Sequence, residues 1–149
     1  MAIEDLSGVM QPVSRAQGLP NAHYVSDDVH KLERDRLFFD GWAGLTIGSH
    51  LPEPGDAVPV DFLGMPLLAV RAKDGAVRVF QNTCRHRGMI LVERPGKVGN
   101  VIRCPYHSWC YSFTGELVTT PHVGGPGQNT HDDIRREDLG LIEIRSHVW

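Results

Sequence analysis

From Trp42 onward, short runs of aliphatic and β-branched residues alternate with turn residues. LTIGS is followed by LPEPGD, VPVDF by LG, PLLAV by KDG, and VRVFQ runs on to Cys84; further along come WCYSF, TGE and LV. Runs of this kind at a spacing of about 8–12 residues predict a mainly β fold, a small antiparallel sandwich or barrel. Asp74-Gly75, lying between two such runs, is the strongest hairpin signal in the chain. The segments between VRVFQ and WCYSF are then expected to project as loops from one end of that body.

The pattern differs on either side of this region. Ser26 followed by Asp27 and Asp28 makes a helix start, with a cap and two acids near the positive end of the dipole. Val29, Leu32 and Phe39 lie near one face of an N-terminal helix ending about Asp40, with Arg36 interrupting the stripe and Gly41 placed to cap it. Residues 1–23 hold Pro12, Gly18 and Pro20 with little periodicity and are expected to be an extended arm, leaving 24–149 as the folded domain. At the far end, PHVGGPGQN is a loop by composition, and its glycines do not follow the dinucleotide-binding pattern. Thr130 with Asp133 resembles a capping box and predicts a short helix up to Leu139, stopped by Gly140. Residues 141–149 then read as a strand with Ile142, Ile144 and Val148 on one side.

A chain of 149 residues has room for one domain, which would bury roughly 70% of its unfolded surface. A net charge of −3 gives no global reason to expect nucleic acid or an anionic membrane as partner. The longest apolar run, around Met65 to Val70, is far short of the roughly 20 residues a membrane helix needs. Glu4 and Asp5 sit where a secretory signal carries positive charge, and the chain is expected to be cytoplasmic.

The chemistry concentrates in CRHRGMILVERPGKVGNVIRCPYH, residues 84–107. Cys84 and His86 form a Cys-x-His pair, Cys104 and His107 a Cys-x-x-His pair, and 17 residues separate His86 from Cys104. Two thiolates and two imidazoles admit a structural zinc site or a two-iron, two-sulfur cluster of mixed ligation. Structural zinc sites usually group like ligands with like, whereas each pair here contributes one of each. The spacing argues against zinc and suits a centre in which one iron takes both thiolates and the other both imidazoles. Five cations, Arg85, Arg87, Arg94, Lys97 and Arg103, stand against Glu93 alone in this stretch. A basic rim would stabilise a reduced cluster and attract an acidic electron donor.

On these residues the chain resembles the Rieske iron–sulfur proteins. More narrowly, NTCRHRG followed by CPYHSWCYSFTGEL is similar to the N-terminal Rieske domain of the large (alpha) subunit of Rieske non-haem iron, or ring-hydroxylating, oxygenases. The resemblance runs from about Tyr24 to the last residue. It implies a Rieske (ISP-like) β fold with the cluster loops at one end, a [2Fe-2S] cluster on Cys84, His86, Cys104 and His107, and supporting roles for Arg85, Tyr106 and Trp109. Met89 and Tyr106 hold places where Rieske proteins of the respiratory and photosynthetic complexes carry disulfide-forming cysteines. That leaves Cys110 unpaired, which fits a reducing compartment.

The function implied is acceptance of single electrons from a reductase or ferredoxin and their delivery to a mononuclear non-haem iron that activates dioxygen for hydroxylation or demethylation. In the family that iron sits in a C-terminal catalytic domain, on two histidines and a carboxylate. Its spacing is not found in these residues, so no catalytic residue is assigned and the chain alone is not expected to turn over substrate. His107 would bond to an aspartate in a neighbouring subunit's catalytic domain, and a trimer is the family's assembly for the full-length protein. The alternatives are a free-standing Rieske-type ferredoxin, which usually lacks a helix like that expected at 26–40, and a zinc-stabilised binding module.

Overall fold

The computed structural model describes residues 6–149; Glu4, Asp5 and the start of the expected arm lie outside the described residues. The chain divides into two units, 1–44 and 45–149.

In the first unit, the remainder of the expected arm contains hydrogen-bonded turns, with Met10 N–H donating to Leu6 O and Ala16 N–H to Pro12 O. Helix α1 (Ala22–Val25) and helix α2 (Asp27–Glu33) follow, and α2 runs into a π-helical turn at Arg34–Phe38. Ser26 stands at the N-cap of α2 in extended conformation, but its side chain makes no capping bond. None of these helical residues is buried, and Tyr24, Val25 and Leu37 are well exposed.

The second unit is built on two antiparallel sheets. The larger contains β1 (Asp56–Phe62), β2 (Met65–Arg71), β3 (Val77–Gln81), the two-residue β4 (Gly96–Lys97), and at its other edge a two-residue strand, Glu143–Ile144. The smaller is formed by β5 (Ile102–Arg103), β6 (Cys110–Tyr111) and β7 (Leu117–Thr119), so Glu143–Ile144 is β8. The larger sheet runs β4-β1-β2-β3-β8, which makes β2 its central strand.

That position explains why Met65–Val70 is continuously apolar rather than alternating. Leu68 and Val70 enter one core with Ala57, Phe80, Ile102, Trp109, Tyr111 and Leu117. Leu67 and Ala69 enter another with Leu51, Val58 and Val79. A strand covered on both faces has no solvent side on which to place polar residues. Full burial of Phe80 alone contributes about 2–3 kcal/mol.

The hairpin expected at Asp74-Gly75 joins β2 to β3, with Gly75 in the left-handed region at φ 83°. Asp74 Oδ1 accepts from Ala76 N–H and Arg78 Nη1 at 3.0 Å each, and Oδ2 accepts from Arg78 Nη2 at 2.8 Å. The Arg78 bonds first, then the Ala76 N–H, lower the Asp74 carboxyl from its ordinary 3.8 to about 2. A carboxylate depressed on folding stabilises above its unfolded value, and that contribution is lost as pH falls through its folded value. Asp74→Asn is therefore expected to lower the melting temperature modestly at pH 7, the pair being exposed. The gap to the parent should close between about pH 4 and pH 2; melts across that range that stay equally far apart would refute the assignment.

Three expectations need correction. LTIGS forms no strand; it leads into a 3-10 turn at Gly48–His50, where His50 N–H donates to Ile47 O and Leu51 N–H to Gly48 O, and Arg71 Nε fixes the end of the turn by donating to Leu51 O. The helix expected at 130–139 is reduced to a 3-10 turn at Arg136–Asp138. Arg136 donates to Val118 O and Asn129 O, tying the segment to β7 in a path no regular helix follows. The C-terminal strand shortens to β8, which pairs Ile144 with Val79 and leaves Ile142 and Val148 exposed. Among the described residues no helix is long and apolar enough to cross a membrane.

Candidate metal centre

Both candidate loops are closed by the same hydrogen-bond frame. In the first, Cys84 N–H donates to Met89 O at 2.8 Å and Gly88 N–H to Cys84 O at 2.9 Å. In the second, Cys104 N–H donates to Trp109 O at 2.8 Å and Ser108 N–H to Cys104 O at 3.0 Å. The residue four after each cysteine is left-handed, Gly88 at φ 69° and Ser108 at φ 58°. Glycine adopts that conformation freely, whereas a serine there is uncommon and must be held by its surroundings. The loops differ in one respect: the histidine lies two residues after its cysteine in the first and three in the second, so the rings leave their frames at different points.

A bridge between Thr83 and Ile90 closes the base of the first loop, and the β5–β6 pairing of Arg103 with Cys110 closes the second. Buried Asn82 pins the segment that leaves the first loop, donating to Val92 O at 2.7 Å and accepting from Val92 N–H at 3.0 Å. Such bonds matter because a buried amide without partners is costly.

These frames bring the four candidate ligands together. Cys84 and Cys104 are buried free thiols, 3% and 2% exposed, within the same core cluster. The His86 and His107 rings lie 4.9 Å apart, edge to face. Trp109, itself buried, stacks on His86 at 4.7 Å with the planes 11° apart. Tyr106, exposed, leans over His107 at 3.7 Å. Each histidine is therefore oriented by one aromatic neighbour, one in the core and one at the surface.

His107 Nδ1 is buried and has no hydrogen-bond partner. A buried ring nitrogen left unpaired is costly, and bonding to a metal removes that cost. Burial raises the Cys104 thiol above its usual range, while the backbone N–H groups of His107 and Tyr106 pull it down. Burial lowers His86, with further contributions from His107 and Arg87, favouring the neutral ring that a metal requires. Among the described residues no three His, Cys, Asp or Glu side chains converge on a single ion. A two-iron cluster of mixed ligation asks only two protein donors of each iron, so the two pairs suit it.

Tyr111 is the contributor that the sequence reading missed. Its hydroxyl lies 3.3 Å from Cys84 Sγ and accepts a 3.0 Å bond from Arg85 N–H. A Cys84 thiolate has no proton to give, so in that state the phenol is the donor of this bond. Burial, followed by the Cys84 contact, pushes the phenol well above its usual range, so the proton stays. The available signal was the apolar setting of WCYSF, since a buried tyrosine hydroxyl usually finds a partner. Arg85 thus enters the site through its backbone, and Cys110 stays out of it, buried with Sγ donating to Ser108 O at 3.2 Å.

A small two-sheet β domain that gathers two thiols and two imidazoles between matched loops defines a metal-binding class of electron-transfer module. The chain belongs to the Rieske [2Fe-2S] domain family, whose model matches residues 42–132. Over 99 residues it is 37% identical to the carnitine monooxygenase oxygenase subunit of Acinetobacter pittii, covering 66% of this chain and 27% of that protein. It is 32% identical over 127 residues to the biphenyl 2,3-dioxygenase subunit alpha of Rhodococcus jostii, covering 85% of this chain and 26% of the relative. A crystal structure of a quaternary ammonium Rieske monooxygenase with gamma-butyrobetaine superposes with a TM-score of 0.76 at 29% identity, over 87% of this chain and 36% of that one. Naphthalene 1,2-dioxygenase from Rhodococcus bound to indole gives 0.72 at 33% identity, over 84% and 28%. The chain spans about a quarter of the length of the curated relatives it matches.

Proposed function

We propose that this chain is the electron-transfer domain of a Rieske oxygenase large subunit, with Cys84, His86, Cys104 and His107 holding the [2Fe-2S] cluster and residues 24–149 as the domain. When bound, the cluster supplies one-electron redox chemistry. The observation that carries the reading is the buried, unpartnered His107 Nδ1 in the site that also holds two buried thiols, a donor set suited to mixed ligation. Cys84 and Cys104 bind as thiolates, and the two histidines bind through one nitrogen with the other left protonated. Trp109 and Tyr106 keep the rings in place, and Tyr111 donates to Cys84 Sγ, favouring added negative charge there.

Single electrons would arrive from a reductase or ferredoxin and leave for the mononuclear iron of a neighbouring subunit's catalytic domain, supporting hydroxylation or demethylation. Iron and acid-labile sulfide analysis, with low-temperature EPR of the dithionite-reduced protein, tests this reading. Two irons and two sulfides with a Rieske-type signal are expected; one zinc and no colour after anaerobic preparation would overturn it. Tyr111→Phe should keep the cluster but lower its potential. A hydrogen bond differing by about 1–2 kcal/mol between redox states corresponds to roughly 45–90 mV for one electron. An unchanged potential in protein-film voltammetry would remove Tyr111 from the site.

A further inference from the structure

The five cations of the loop region are not equivalent in the fold. Lys97 pairs with Asp56 at 3.3 Å and donates to Pro54 O at 3.1 Å, so its charge is engaged at the β1–β4 edge. Arg85 and Arg87 are exposed, flank the exposed His86, and form no ion pair among the described residues. The loop carrying them is held at three points: Gly88 N–H on Cys84 O, Arg85 N–H on the Tyr111 hydroxyl, and the His86 ring on Trp109. Two fixed guanidinium-bearing positions thus bracket a ring that touches the core on one face. Arginine forks match carboxylates in geometry as well as charge.

We infer that the His86 edge, with Arg85 and Arg87, is the docking surface for an acidic single-electron carrier protein. This rests on the function proposed above and adds where the electron arrives. Carboxylates of the carrier meet the two guanidinium groups and bring its redox group towards His86. The carrier is oxidised by one electron and the centre held by Cys84, His86, Cys104 and His107 is reduced by one. No proton or bond changes hands.

The test uses the cluster-loaded 149-residue chain and, as probe, a reduced acidic plant-type [2Fe-2S] ferredoxin, whose potential of about −400 mV drives transfer downhill. Stopped-flow reduction is compared for the parent, Arg85→Gln/Arg87→Gln and, as a control at the opposite end of β3 from the first loop, the exposed Lys73→Gln. The double variant should react about tenfold more slowly at low ionic strength, with the gap closing as salt is added. Reduced methyl viologen, a cation, should reduce Arg87→Gln, whose side chain lies outside the loop's hydrogen-bond frame, no more slowly than the parent. Calorimetric binding of the oxidised ferredoxin should weaken in step, a readout independent of turnover. Equal ferredoxin rates at all ionic strengths would overturn the docking surface while leaving the electron-transfer function intact. A changed sedimentation coefficient without slower reduction would make the patch a contact between copies and also overturn it. Failure of the parent to bind iron and sulfide would instead sink the function on which the inference rests. Should the double variant lose its cluster, Arg87→Gln alone is compared, since Arg85 contributes its backbone to the loop.

Discussion

Replacing Cys104 with serine is expected to abolish iron and sulfide binding and to lower the stability of the chain together with its colour. Cys104 is 2% exposed, shares its core cluster with Cys84, and starts the frame that holds His107 and Ser108. A serine hydroxyl stays protonated near neutral pH and is a poor partner for iron, while one lost ligand removes half the thiolates. A group bound only by the folded chain at a thousand times its dissociation constant adds about 4 kcal/mol, so a loss of at least that order is expected. The measurement is metal analysis beside a denaturant melt, with Cys110→Ser as control. Cys110 is equally buried but bonds only to Ser108 O, so its variant should keep full iron content. Iron retained by the Cys104 variant, or lost by the Cys110 variant, would reverse the ligand assignment.

Gly115→Ala should destabilise the second unit by forcing a methyl group into its core. Gly115 sits at φ 87°, and a Cβ there would lie 2.8 Å from Phe80 Cε1. Its carbonyl also accepts from Leu141 N–H at 2.7 Å, so the turn has little room to move away. Left-handed strain of about 1–2 kcal/mol and overpacking of about 1–3 kcal/mol together give a loss of roughly 2–5 kcal/mol. Because Phe80 shares its core with Cys84 and Cys104, iron retention on heating should fall too. Phe80→Leu removes the clashing ring atom, so the double variant should be less destabilised than the sum of the singles. Strict additivity, or an unmoved unfolding midpoint in Gly115→Ala, would refute the contact.

Much of the site was legible because ligand chemistry is local. Cys84 with His86, and Cys104 with His107, are each bound to one short loop by spacing alone, and Gly88 marks the first loop's left-handed corner. The second corner was harder to see, since Ser108 adopts that conformation only because the frame around Cys104 imposes it. Tyr111 escaped because its partner lies 27 residues away, and only the arrangement of β5 and β6 beside the first loop brings hydroxyl to sulfur.

By itself the sequence determined the β1, β2 and β3 runs, the Asp74-Gly75 turn and the four candidate ligands. Turn chemistry, apolar runs and metal-ligand types are properties of neighbouring residues, and they persist in any context. The tertiary structure decided what depends on competition for partners. LTIGS ran into a turn held by Arg71 on Leu51 O, the expected 130–139 helix gave way to Arg136 bridging Val118 and Asn129, and the last strand kept only the residues that β3 could pair. It also decided which of the five loop cations remain free, because Lys97 finds Asp56 only when Gly96–Lys97 lies alongside β1. Backbone pairing and long-range charge contacts are non-local, and the folded chain alone settles who meets whom.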